Sequence, residues 1–202
     1  MKKLGGFVAA ILIVLGVILT AKSLVRVPAG YAAVQYNANG GVEKKVLDQG
    51  WHWKSPMVKT TLYTVGLEQS YLTASKKGDS PDDDSFTASS SEGKSMTLEL
   101  TYTYQYKQNS VADVFTRFKG QSGKEVRDSF IKPNIVSWTK EIVANYKVSD
   151  ILGSERANIN NSVSDYLAKK FEPYGITISN VSLINIDVDK DTMKAINAKI
   201  KA

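Results

Sequence analysis

The chain has 202 residues, a formal net charge of +6, one histidine and no cysteine. That length holds one ordinary domain plus an appendage, and the missing thiols exclude a disulfide framework, a thiolate nucleophile and a Cys-ligated metal site. With His52 alone, no His-rich metal site forms within one chain, and a Ser-His-Asp triad would have to use that one imidazole.

The charge is uneven. Residues 1–26 hold Lys2, Lys3, Lys22 and Arg26 and no acid, a net of +4, which leaves +2 for the rest. A basic pI near 9.3 raises nucleic acid as a partner, and the near-neutral remainder argues against it. The basic residues bracket an uncharged run, Leu4 to Ala21, LGGFVAAILIVLGVILTA. As a helix rising ~1.5 Å per residue it spans about 27 Å, the thickness of a bilayer core. Residues 1–23 therefore read as a single-pass anchor, with Leu4, Phe7, Ile11, Leu15 and Ile18 among its apolar side chains. A cleaved secretory signal is the competing reading, with MKK as its basic start and Ala21-Lys22-Ser23 as its small-x-small site. The flanking charges differ little, and the orientation reads weakly as main domain on the extracytoplasmic side of the cell membrane.

Residues 24–75 read as strands and turns. Tyr31–Tyr36 is β-prone, Asn37–Gly41 is a turn, and further strands fit Val42–Leu47, Thr60–Val65 and Leu67–Thr73. Trp51, Trp53 and Met57 sit on a Gly- and Pro-bounded loop; they suit a membrane interface, and lobe core is the alternative. His52 has no identifiable catalytic partner and reads as structural. Residues 76–94 form a polar loop or edge hairpin, and Asp79, Asp82, Asp83 and Asp84 do not fit an EF-hand spacing. Met96–Tyr106 alternates strictly, with Leu98, Leu100, Tyr102, Tyr104 and Tyr106 on one face, the pattern of a strand buried on one side.

The second half turns helical. Ser122 and Glu125 form a capping-box pattern that opens a run to about Tyr146, with Pro133 implying a kink or break just before it. A second helix fits Ser154–Phe171, on a stripe of Ile159, Val163, Tyr166, Leu167 and Phe171. Ile176–Asp187 reads as a strand whose alternation slips near Asn180, the mark of a bulge. From Asp189 a helix begins, with Met193, Ile196 and Ile200 at the 3-then-4 spacing of a coiled-coil start and of an oligomerisation seam.

Four stretches in this order resemble the SPFH or band 7 domain of stomatins, prohibitins, flotillins and the regulators of the FtsH-type membrane protease. They are Val27–Tyr31, Leu47–Pro56, Tyr102–Tyr106, and Tyr174–Val181 with Asn185-Ile186-Asp187. The turn before Tyr102–Tyr106 reads Ser91-Glu92-Gly93 and departs from the family's Thr-Asp-Gly. Tyr31, the short N-terminal anchor and the Asn-rich second helix look most like prohibitins.

The resemblance implies an α+β fold: a transmembrane helix, a membrane-proximal β-rich lobe at about 24–95, an α/β lobe at about 96–188, and the start of a C-terminal helix at 189–202. It implies a non-enzymatic, oligomeric membrane scaffold, whose rings or cages organise a membrane microdomain and its clients, with no cofactor. The partners it implies are other copies or a paralogue, membrane lipid and an FtsH-type membrane protease. An adaptor of such a protease or of a transporter is the alternative function. A hydrolase using Ser89–Ser91 or His52 is the remote one.

Overall fold

The computed structural model describes the backbone of residues 2–74 and 83–201, and the side chains of residues 11–74, 83–194, 196 and 198. A helix, α1 (Lys2–Ser23), opens the chain. Leu4 and Phe7 lie outside the described side chains, and among the described residues no helix is long and apolar enough to cross a membrane. Two compact units follow from the packing: residues 1–66 with 108–123, and residues 67–107 with 124–202. The chain passes between them three times, instead of once near residue 95, because strands in residues 67–95 pair with a strand in residues 96–106.

In the first unit β1 (Leu24–Val27) pairs antiparallel with β4 (Gly50–Trp53), and β2 (Tyr31–Asn37) lies between β3 (Gly41–Val42) and β5 (Lys59–Thr64). The expected loop at Trp51 and Trp53 is thus a strand, its ladder supplied by β1. The expected strand Val42–Leu47 shrinks to β3 and a bridge from Leu47 to Ala33. Lys44 and Lys45 are exposed in between, where hydrating two adjacent cations wins over continuing the ladder. The short helix α2 (Val111–Arg117) buries Val111, Val114 and Phe115. Gly30 is in the left-handed region (φ +78°) and its carbonyl accepts from Val65 and Gly66, both at 2.8 Å. A Cβ at Gly66 would lie 3.2 Å from the Gly30 Cα, so two bare glycines are what lets these segments touch.

The second unit is built on β8 (Ser95–Tyr106). Its even-numbered residues from Met96 to Tyr106 are all buried, as the alternation predicts. One edge of β8 carries β6 (Glu68–Leu72) and β7 (Phe86–Ser89) in succession, and the other carries β9 (Ile176–Val188). The polar segment before Ser95 therefore ends as an edge hairpin turning at Ser91–Gly93. Asp79 and Asp82 lie outside the described residues. Asp83 accepts from the Ser85 hydroxyl (2.6 Å) and amide (2.9 Å), and Asp84 pairs with Lys132 at 3.0 Å. The slip near Asn180 is a bulge: Asn180 has φ +51° and the β8–β9 register shifts opposite it.

The helical run opens as α3 (Gly123–Val126) and becomes a π-helical turn at Arg127–Ile131. It continues as α4 (Lys132–Val143), with Pro133 in its first turn. Proline offers no N–H to the preceding turn and its ring crowds the carbonyl four residues back. The widened turn accommodates both, and the Asn134 side-chain amide takes the Phe130 carbonyl at 2.8 Å. A short helix, α5 (Val148–Leu152), leads to α6 (Arg156–Phe171), which packs on β9 and against α4. Ile159, Val163, Leu167 and Phe171 are buried as expected. Tyr166 stands off that stripe and donates to Glu141 at 2.6 Å, because its hydroxyl needs a polar partner.

Thr139 is fully buried on α4 and its hydroxyl has no hydrogen-bond partner among the described residues. A buried hydroxyl without a partner costs free energy that an isosteric methyl does not. Thr139→Val is expected to raise unfolding stability by about 1 kcal/mol, read by urea denaturation. A loss of stability would show that the hydroxyl is bonded after all.

Candidate functional site

Of the residues singled out beside the anchor, Trp51 and Trp53 stand on one face of a two-stranded ladder in the first unit. The pairing runs Leu24 to Trp53, Val25 to His52, Arg26 to Trp51 and Val27 to Gly50. Residues directly opposite in an antiparallel ladder share a face. Leu24, Trp53, Arg26 and Trp51 therefore lie on one side, and Val25 and His52 on the other. The side with Val25 is anchored: Val25 packs against the buried cluster of Val27, Ala33 and Leu47. The other side has no core to cover it. Trp51 is 64% exposed and Trp53 71%, with the Arg26 guanidinium carbon 5.9 Å from the Trp51 ring centroid.

Met57 reaches the surface by a different route. Residues 55–58 form a turn closed by Val58 N–H to the Ser55 carbonyl (3.0 Å), and the Lys54 ammonium ties it down by donating to the Val58 carbonyl at 2.7 Å. Val58 is buried below, and Met57 is left 79% exposed. The ladder also meets the helix directly, since Lys54 N–H donates to the Ser23 carbonyl at 2.8 Å. Along α1, Ile11, Leu15 and Ile18 are exposed. The surface thus combines an uncovered apolar helix, two indoles, a thioether and an arginine. His52 is held through Nε2, which donates to the Asp48 carbonyl at 2.7 Å, and among the described residues no acidic side chain or nucleophile is hydrogen-bonded to it. Among the described residues no group of three or more His, Asp or Glu side chains could hold a metal ion. In the sequence Arg26 stood out only as a charge flanking the uncharged run and Leu24 not at all; the alternation of Leu24 with Arg26 and of Trp51 with Trp53 was visible there, and their pairing was not.

The second unit ends in α7 (Lys190–Lys201). Asp189 caps it, its carboxylate accepting from the Thr192 hydroxyl (2.6 Å), the Thr192 amide (2.8 Å) and the Asp191 amide (3.1 Å). The Thr192 hydroxyl bond is the main cause holding the Asp189 carboxyl below its ordinary range, with the Thr192 amide next. Met193 and Ile196 are half-buried, and the side chain of Ile200 lies outside the described residues.

The family model described as SPFH domain / Band 7 family matches residues 25–202, and the chain belongs to that family. Within it the chain is prohibitin-like. It is 20% identical over 185 residues to a protein of Arabidopsis thaliana named "Prohibitin-7, mitochondrial", covering 92% of this chain and 61% of that one. It is 22% identical over 185 residues to "Prohibitin-2, mitochondrial" of the same plant, covering 92% and 59%. The chain thus spans about three-fifths of the length of the relatives it matches.

Proposed function

We propose that this protein is a membrane-anchored, self-assembling scaffold of the prohibitin type. In this reading α1 is the anchor, the face bearing Trp51, Trp53 and Met57 rests at headgroup depth, and α7 begins the contact between subunits. The observation that carries it is the exposure of both indoles on a ribbon that continues from the apolar helix, with Met57 exposed on the turn that follows. Indoles prefer the interface, where the ring is out of water and the N–H stays wet, and Arg26 and Lys22 suit anionic headgroups there. The eighteen uncharged residues from Leu4 to Ala21 support the anchor, and membership of the SPFH family supports a scaffold over a catalyst. Assembly would use Met193, Ile196 and Ile200. A cage around a membrane patch, its clients, an FtsH-type protease as a partner and the extracytoplasmic placement are further parts of this proposal.

Two measurements test it. Reconstituted into vesicles carrying lipids brominated near the headgroup, the chain is expected to lose tryptophan emission, and Trp51→Phe/Trp53→Phe to remove most of that quenching. Unquenched emission would sink the interface reading. Blue-native electrophoresis after gentle solubilisation is expected to show a species well above monomer mass. A band only at the 22.2 kDa of one chain would sink the assembly.

A further inference from the structure

Beyond α1, the first unit is still basic. Residues 24–66 with 108–123 carry seven basic and three acidic residues, a net of +4, whereas residues 67–107 with 124–202 carry 16 basic and 17 acidic. Within this basic unit, one face of the β3–β2–β5 sheet and the end of α2 enclose a cleft of about 470 Å³. The sheet supplies Tyr36, Val42, Lys59 and Thr61. The register places Tyr36 opposite both Val42 and Lys59, with Thr61 two residues on, so all four share a face. The helix end supplies Phe115, Thr116, Lys119 and Gly120. Tyr36 and Phe115 form the floor, with ring centroids 6.0 Å apart.

Three features make this a site and not a crease. No acidic residue lines the cleft, and neither Lys59 nor Lys119 has an acidic partner among the described residues. Three carbonyls at the end of α2, which would otherwise draw an ammonium, are already taken: Val114 by Phe118 N–H, Phe115 by Gly120 N–H and Thr116 by Lys119 N–H. The floor ends in a constrained turn. Lys119 and Gly120 both have positive φ (+55° and +80°), and a Cβ at Gly120 would lie 3.4 Å from Phe115 Cζ. A lysine held in the left-handed region costs free energy that glycine or asparagine would avoid.

We propose that this cleft binds a phosphate monoester, its phosphate held by Lys59 and Lys119 and its organic part lying on Tyr36 and Phe115. Two ammoniums without an acid match a dianion, and a phosphate monoester carries about −1.5 to −2 near pH 7. Lysine is an effective phosphate binder as a point charge. The volume lies in the range of small-molecule pockets, with an apolar floor and few polar groups, and Thr61 offers a further hydroxyl. The phosphate can belong to a soluble ester or to a phosphatidic-acid headgroup, and the reading does not depend on the proposed scaffold role.

The test uses the full chain in neutral detergent micelles, followed by its thermal unfolding midpoint, since a ligand that binds only the folded state raises it. One arm titrates phenyl phosphate, a second phosphatidic acid doped into the micelles, with inorganic phosphate and phosphatidylcholine as references. Saturable stabilisation by phenyl phosphate, by phosphatidic acid or by both is expected, and which of them acts assigns the source. Lys59→Ala/Lys119→Ala is expected to weaken binding at least ~10-fold and Lys59→Arg/Lys119→Arg to retain it. Both lysines are exposed, so these variants keep the fold, which circular dichroism checks. Stabilisation by neither ligand, binding unchanged in the alanine pair, or inorganic phosphate acting as strongly as phenyl phosphate overturns the proposal.

Discussion

Arg127→Ala is expected to lower the stability of the second unit by about 3 kcal/mol. Arg127 is only 3% exposed and lies in the π-helical turn. Its Nη1 stands 3.5 Å from Glu68 Oε1 on β6, and its Nε donates to Asp128 Oδ1 at 2.8 Å. Beside them is the Tyr104 phenol, hydrogen-bonded to Glu68. Burial above all, then the Glu68 charge, pushes its pKa far above the ordinary tyrosine value, with Arg127 opposing. Tyr104 therefore stays neutral, so its hydroxyl can bond Glu68 but supplies no positive charge to replace Arg127. Removing one partner of a buried pair costs about 3–5 kcal/mol where the other is stranded. The Glu68 and Asp128 side chains are 33% and 48% exposed, so water reaches them and the cost falls at the low end. Arg127→Met, which keeps the packed stem, is expected to cost roughly half as much. Urea denaturation followed by Trp138 emission in a Trp51→Phe/Trp53→Phe background reads this unit alone. A loss under about 1 kcal/mol would mean that the pair contributes no more than a surface one.

Phe171→Ala is expected to cost about 3–5 kcal/mol. Phe171 closes α6, is fully buried, and meets Trp138 of α4 at 4.8 Å and Phe130 of the π-helical turn at 5.9 Å, both edge-on. Truncation removes a large apolar area and two aromatic contacts, each worth about 0.5–1.5 kcal/mol, at the point where two helices meet. The same urea experiment applies. Trp138 is also expected to shift its emission to the red in the folded variant, as water or mobility reaches its ring. Phe171→Leu, which fills most of the space, should keep most of the stability. An alanine variant within about 1 kcal/mol of the parent would show that α4 and α6 close the cavity by moving together.

Periodicity made the second unit legible. The strict alternation of Met96–Tyr106 can bury one set of side chains in only one way, and β8 follows it residue by residue. The bulge at Asn180 showed as a slip in the same pattern, and Pro133 marked the end of regular α-helix because its ring forbids the preceding geometry. The first unit was harder. Its strands are short, so local propensity competes closely with hydration and pairing, and Val42–Leu47 lost that competition at Lys44 and Lys45. Helix α2 is only seven residues long, too short for a helical period to stand out. Arg127 gave no sign of burial, because a basic residue on a helix reads as solvated until its acidic partner arrives from β6, 59 residues earlier in the chain.

By itself the sequence determined the family, the α+β class, the uncharged run ahead of the domain and the faces of β8 and α6. These follow from side-chain periods and turn residues within a few positions of one another. Tertiary structure alone decided that β6 and β7 join β8 in the second unit, that the strand of Trp51 and Trp53 pairs with that of Leu24 and Arg26, and that Lys59 and Lys119 line the same cleft. Each depends on which distant segment supplies the partner for a ladder or a charge, and a linear pattern does not encode that pairing.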